Sequence, residues 1–178
     1  MELRSKTIYL RLADLEDAKF IHDLRVNDKY NKYLSKVDDD IEKQKKWLIA
    51  YKKRETIEKE FYFIAHKISD NQPIGTVRVY DFIEDSNSFC WGSWILNEKK
   101  TRYAALECTI LIYDFAFGKL GFERCHMDMR KDNLKIIDYH KRLGVNIIGE
   151  TEIDLLGHYY FEDYLKVREN LLNKINSQ

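Results

Sequence analysis

The sequence predicts a single α/β domain over residues 1–178: about seven strands in a mixed, mostly antiparallel sheet with a central splayed parallel pair, and about four helices. Three observations carry that expectation. Runs rich in β-branched and aromatic residues recur between segments of helical periodicity. Two connections between successive strands, SDNQP and EDSN, are long enough only for turns, which makes those strands antiparallel neighbours. One segment, Ala105–Phe117, is apolar almost all round and too long for a strand, so it reads as a buried helix.

The elements follow in order. Thr7–Ala13 alternates apolar and polar residues and reads as a strand. Asp14 can cap a helix over Leu15–Val26, with Leu15, Ala18, Ile21 and Leu24 on one face. A second helix fits Ile41 to about Arg54, its apolar side made by Trp47, Leu48 and Tyr51 and its lysine clusters turned to solvent. Glu60–Ile68, Pro73–Phe82 and Ser88–Leu96 form a meander. From Ser88–Leu96 the buried helix crosses over to a short strand at Glu123–Arg130, which makes that pair parallel. Asp132–Gly144 is an amphipathic helix closed by its glycine. NIIGETEIDL and HYYFEDYLKV flank Gly157 and read as a closing hairpin. A parallel pair inside an antiparallel sheet is a place where strands can splay and admit a ligand, with a helix N-terminus aimed at the gap.

Composition narrows the partners. Thirty Lys+Arg against thirty Asp+Glu leave no basic excess to displace counterions from phosphates, so no nucleic-acid partner is expected. Apolar runs fall well short of the ~20 residues of a spanning helix, and the first residues lack a leader-like stretch. A cytoplasmic protein without a membrane partner is the expectation. Cys90, Cys108 and Cys125 are odd in number and lack CxxC spacing, which indicates neither a disulfide framework nor a zinc site.

The order of elements, and above all DMRKDNLKIIDYHKRLGVNIIGE, resembles the GNAT superfamily of acyl-CoA-dependent N-acetyltransferases. There a strand leads through a loop Asn into a helix of the form xxAxxxYxKxGF. Here the loop residue is Asn133 and the helix closes on Lys141-Arg142-Leu143-Gly144. LRVNDKYNKYLSKVDDDIEKQKKWL and IGTVRVYDF resemble the N-terminal helices and central strand of a subgroup that acetylates ribosomal-protein termini or amino-sugar nucleotides. The resemblance implies acetyl-CoA as co-substrate, direct attack by a primary amine without an acyl-enzyme, and no metal.

It also implies roles for individual residues. His140 stands where most relatives carry the Tyr that protonates the departing thiolate. The pyrophosphate loop falls on Lys100, Thr101, Arg102, Tyr103, Ala104 and Ala105, where Tyr103 replaces the family's middle glycine; a solvated basic loop is the plainer reading. Trp94, Ile95 and Leu96 end the strand along which the pantetheine arm pairs, and Asn133 and Ile136 belong to the coenzyme site, with capping as the other role for Asn133. Gly92 suits a bulge, and the two-residue period puts Trp91 and Trp94 on opposite faces. Cys90 stands where many relatives carry a Glu base, so Asp81 is the carboxylate expected to take the ammonium proton, with Glu84 and His66 as alternatives.

Acceptor binding is expected from Asn27, Tyr30, Tyr33, Arg78 and Tyr80, where an arginine suits a phosphate or carboxylate or else forms an internal salt bridge. The acceptor expected is a small-molecule amine, a nucleotide-linked amino sugar. A ribosomal-type protein N-terminus is the alternative acceptor. Tyr103 and Cys90 motivate a third reading, a CoA- or partner-binding module without catalysis. Monomer and homodimer both stay open.

Overall fold

The structure is a computed structural model describing residues 1–177, among which eight strands form one sheet in the order β1-β2-β3-β4-β5-β6-β8-β7. A hairpin of β1 (Glu2–Arg4) and β2 (Ile8–Leu12) opens the chain. Asp14 then accepts from the Leu15 N–H at 2.7 Å while Asp17 accepts from the Asp14 N–H at 2.8 Å, a reciprocal cap that starts the helical region. Helix α1 (Ala18–Val26), the single turn α2 (Asp28–Asn31) and α3 (Ile41–Thr56) follow. Then come β3 (Phe61–Lys67), β4 (Pro73–Ile83) and β5 (Ser88–Leu96), the expected meander.

Helix α4 (Ala104–Tyr113) runs on through a wider π turn over 114–119 and delivers the chain to β6 (Arg124–Arg130), which pairs parallel with β5. Helix α5 (Leu134–Leu143), the hairpin of β7 (Asn146–Glu150) and β8 (Asp154–Tyr160), and α6 (Phe161–Asn176) complete the domain. On one face α1 and α3 bury Ile21, Leu48 and Tyr51 against Tyr62 and Ile64. The other face, with Phe61, Phe63, Val77, Val79 and Phe89, lies under α4 and α6.

The fold stands as expected with small differences in count. Among the described residues the sheet has eight strands against about seven expected, because β1 adds an edge, and six helices against about four, through the turn α2 and the long α6. One expectation is corrected. The closing hairpin turns at 151–153, with Gly157 inside β8, and the segment after Tyr160 is helical. Tyr164, Leu171 and Ile175 recur at helical spacing and are buried, and Tyr164 Oη and the Arg168 guanidinium both donate to Asp114 at 2.7–2.8 Å, which fastens α6 to the end of α4.

Gly75 sits on β4 opposite Leu96, and a Cβ there would stand 2.0 Å from the Ile95 carbonyl oxygen. Since the obstacle is backbone, β4 and β5 would have to part. Gly75→Ala should therefore cost about 2 kcal/mol or more, and lower the melting temperature by roughly 4–8 °C in a chain of this size; an unchanged thermal scan would contradict this account of the β4–β5 contact.

Candidate active site

Strands β5 and β6 are paired at only two positions, Ser88 with Arg124 and Phe89 with Cys125, whereas β6 is paired with β8 along its whole length. Beyond Phe89 the two strands part, and the edge of β5 that faces β6 has no strand partner. A cavity of about 300 Å³ fills the gap. Helix α5 borders it through Asn133, Ile136 and His140, and Tyr33 and Arg25 close the side nearest α1 and α2.

A bulge shapes the β5 wall. Thr76 pairs with Ile95 and Arg78 with Gly92, so Ser93 and Trp94 together stand opposite Val77. Ser93 takes a left-handed φ of 46°. The extra residue breaks the two-residue alternation and corrects the expectation for the tryptophans: Trp91 and Trp94 lie on the same side, ring centroids 5.0 Å apart. Trp91 meets the His140 ring edge-to-face at 5.8 Å and donates to Tyr113 Oη at 3.1 Å. Tyr139 packs on Trp94 and exchanges a 2.6 Å hydrogen bond with Thr109 of α4, which locks α5 in register.

The chemical groups of the cavity are few. His140 is 6% exposed, and burial pushes its pKa down to about 4, so its ring is neutral at physiological pH; its Nδ1 has no hydrogen-bond partner among the described residues. Burial pushes the Cys90 thiol up to about 12 and holds the Tyr80 phenol well above its usual range. Asp128, on β6, is the one carboxylate lining the cavity among the described residues, and it is exposed at the mouth. It was absent from the sequence reading. A strand period places it on the solvent face of ERCHMDMR, which is indistinguishable from an ordinary surface acid until the splay is known.

Of the expected residues, the structure brings Tyr33, Tyr80, Trp94, Asn133, Ile136 and His140 to this cavity. Asn133 also caps α5, accepting from the Ile136 N–H. Asp81 does not reach it. An irregularity in β4 gives Asp81 a left-handed φ of 56° and turns it outward, 63% exposed, to within 3.1 Å of His126 Nε2, whose Nδ1 meets Ser88 Oγ at 2.9 Å. Glu84 is exposed and paired with Lys59, and His66 bonds the Asn71 carbonyl under Tyr9. Asn27 is the cap of α2, and neither it nor Tyr30 lines the cavity; of that segment Tyr33 does, as expected, donating to the Asp132 carbonyl at 3.1 Å. Arg78 lies on the neighbouring side, 2.5 Å from Glu60 and over the Tyr80 ring.

Ile95, Leu96, Lys100, Arg102, Tyr103, Ala104 and Ala105 belong to the far end of β5 and the start of α4, outside the cavity. Asn97 shapes this loop, accepting from the Lys99 N–H at 2.9 Å. Tyr103 has φ −105°, a conformation open to any residue, so its replacement of a glycine stores no strain. No acceptor among the described residues meets the N–H groups of Ala105 and Leu106. Lys99 and Lys100 are exposed, and neither they nor Arg102 have a carboxylate partner among the described residues. These features fit a pyrophosphate.

Known proteins share this architecture. A family model described as an acetyltransferase (GNAT) domain matches residues 7–146. The probable N-acetyltransferase YjcK of Bacillus subtilis (strain 168) is 25% identical over 168 residues, covering 91% of this chain and 93% of that protein. Among solved structures, apo FdhC, described as a nucleotide-linked sugar GNAT, is 44% identical over 96% of both chains with a TM-score of 0.88. The ribosomal-protein-S5-alanine acetyltransferase from Vibrio fischeri reaches a TM-score of 0.77 at 16% identity over 92% of this chain and 98% of that one, a likeness of fold alone. With a splayed β5–β6 pair, an open helix start after β5 and a family match over most of its length, the chain belongs to the GNAT acetyltransferase family.

Proposed function

We propose that this N-acetyltransferase moves an acetyl group from acetyl-CoA to the primary amine of a nucleotide-linked amino sugar, by direct attack. The observation that carries the reading is the cavity at the splay, with one carboxylate and one neutral imidazole, in a chain so similar to a nucleotide-linked sugar GNAT. Acetyl-CoA supplies the activated thioester. The α4 N-terminus, with Lys100 and Arg102, is suited to its pyrophosphate, and the partnerless edge of β5 around Trp94, Ile95 and Leu96 suits the amides of its pantetheine arm, opposite Asn133 and Ile136. Backbone N–H groups on that edge are the donors available to polarise the thioester carbonyl.

Asp128 is assigned the proton of the acceptor ammonium, directly or through water. This replaces Asp81, which is engaged with His126. His140, being neutral, is assigned a hydrogen bond to the departing thiolate. The buried, protonated Cys90 thiol argues against an acyl-enzyme, because the thiolate is the nucleophilic form. The reading as a non-catalytic module loses one of its two motives, since Tyr103 is unstrained and leaves the helix N–H groups free.

Acceptor-dependent release of CoA tests the reading: amino sugars linked to uridine or thymidine diphosphate should turn over, and peptides with free N-termini should not. The reverse preference would move the protein to the alternative acceptor. Replacing Lys100 and Arg102 together by Ala should raise KM for acetyl-CoA by about tenfold with kcat nearly unchanged, the pattern of lost phosphate contacts. His140→Phe keeps the ring packed on Trp91 and removes the donor. It should lower kcat by up to about 100-fold, the lower end of what general acid help supplies, while His140→Tyr retains most activity; equal turnover of the two variants would make His140 a bystander.

The same histidine sets a pH dependence. Its folded pKa near 4 lies below the unfolded 6.5, so between these values the unfolded chain binds a proton that the folded one refuses. Stability is full above pH 6.5 and is lost as pH falls toward 4, by about 3 kcal/mol in all. Thermal scans should show that loss in the wild type and a shallower decline over the same window in His140→Phe.

A further inference from the structure

A second cavity, of about 280 Å³, lies between α1, α3 and the sheet, on the face opposite α4. It shares Arg25, Ser35 and Ser93 with the first cavity, so the two meet at Arg25. Arg25, Arg78 and Lys36 bring positive charge to its lining, Trp47 and Tyr62 give it aromatic walls, and no carboxylate lines it among the described residues. Glu60, buried behind Arg78, is shared: it takes 2.5 Å and 2.7 Å contacts from Arg78 and Arg54. One carboxylate thus serves two guanidiniums, and neither side of that pairing reaches Arg25.

Arg25 is the anomaly. Its terminal nitrogens donate to Ser93 Oγ at 3.3 Å and to the Ser35 carbonyl and hydroxyl at 2.8 Å and 2.9 Å. Its Nε is buried without a partner, and no carboxylate among the described residues pairs with it. Burial, with Arg78 nearby, lowers its pKa, the mark of a charge held without compensation. A half-buried guanidinium with no carboxylate beside it leaves its charge unbalanced, and its fork of donors matches phosphate oxygens.

We propose that the second cavity is the subsite for the diphosphate of the acceptor, and that Arg25 is the residue that reads it. The inference rests on the nucleotide-linked reading above and adds where the nucleotide goes: amine in the first cavity, diphosphate at the junction, the remainder between α1 and α3. Arg78, half neutralised by Glu60, adds a second cation to the same wall. Free amino sugars, polyamines and peptide N-termini bring no anion to Arg25 and are poor acceptors on this account. Coenzyme A also carries a pyrophosphate, but the site suited to it lies at the α4 N-terminus, away from this cavity.

Calorimetric titration with uridine diphosphate and thymidine diphosphate, which requires no turnover, tests the subsite directly. Wild-type protein should bind at least one of them. Arg25→Gln should weaken that binding tenfold or more, Arg25→Lys less, and the Lys100→Ala, Arg102→Ala double variant not at all. Acetyl-CoA affinity in Arg25→Gln should stay near the wild-type value, since the coenzyme's phosphates are assigned to the α4 N-terminus, away from this cavity. Equal nucleoside diphosphate affinity in wild type and Arg25→Gln would overturn the proposal. So would displacement of the nucleoside diphosphate by coenzyme A together with its loss in the Lys100, Arg102 variant, which would put the diphosphate at the coenzyme site. Turnover separates this from the function itself: Arg25-dependent binding without acetylation of any nucleotide-linked amino sugar upholds the subsite and removes the activity, whereas acetylation with an unchanged acceptor KM in Arg25→Gln does the opposite.

Discussion

Two residue pairs join β5 to β6, and most of what the molecule offers chemically follows from the pairing stopping there. A longer parallel ladder would have consumed the N–H and C=O groups of β5 that face the gap and left no cavity. The wedge that keeps the strands apart is Trp91 and Trp94 side by side, with His140 and Tyr139 of α5 packed on them. Aromatic residues of that size are too costly to expose. Once the bulge at Gly92–Ser93 turns both indoles to one side, α5 must lie over them and β6 cannot close up. Tyr139 bonded to Thr109 ties this wedge to the buried helix, and the Thr7 hydroxyl, donating to Glu107 at 2.9 Å, ties that helix back to the first strands.

The order of elements was legible because it is written in local signals. Short turns, the Asp14 cap and the Gly144 stop each act over a few residues, and each element they delimit stands close to where it was expected. The C-terminal helix was missed because YYFEDYLKV is as rich in aromatic and β-branched residues as a strand, and the helical recurrence of Tyr164, Leu171 and Ile175 extends beyond the piece read as β. The placement of the tryptophans failed for a different reason. Gly92 marks a bulge, but a plain two-residue alternation carries no sign of the added residue, and a single insertion inverts every later side chain.

Charged groups were the least legible part of the site. Whether an acid or a base is free depends on partners far away in the chain: Asp81 is taken by His126 and Arg78 by Glu60, while Arg25 and Asp128 have nothing comparable. With thirty cations and thirty anions in the sequence, no count of charges identifies which ones the fold leaves unbalanced. His140, by contrast, could be placed from register alone, because the spacing back from Gly144 fixes its position on α5; its neutral state could not, since that comes from burial among Trp91 and Tyr139.

Tyr103, standing where the resemblance implies a glycine, leaves the start of α4 as open to the proposed pyrophosphate as a glycine would. At φ −105° the backbone is where any L-residue can sit, and the groups offered to an anion are the N–H donors of Ala105 and Leu106, which every residue but proline carries. Cations nearby need only reach, so Lys100 and Arg102 can serve from exposed positions. Arg25 stands under the opposite constraint: it is half-buried, fixed by Ser35 and Ser93, with its Nε buried and without a partner or a carboxylate to balance it among the described residues. A neutral chain therefore presents two proposed cationic sites of different design on opposite faces of its sheet. At the exposed one backbone N–H groups make up most of what an anion would meet. At the other the donors belong to one arginine between two cavities, the residue proposed above to read the acceptor, in a helix whose sequence pattern marks it only as one more surface charge.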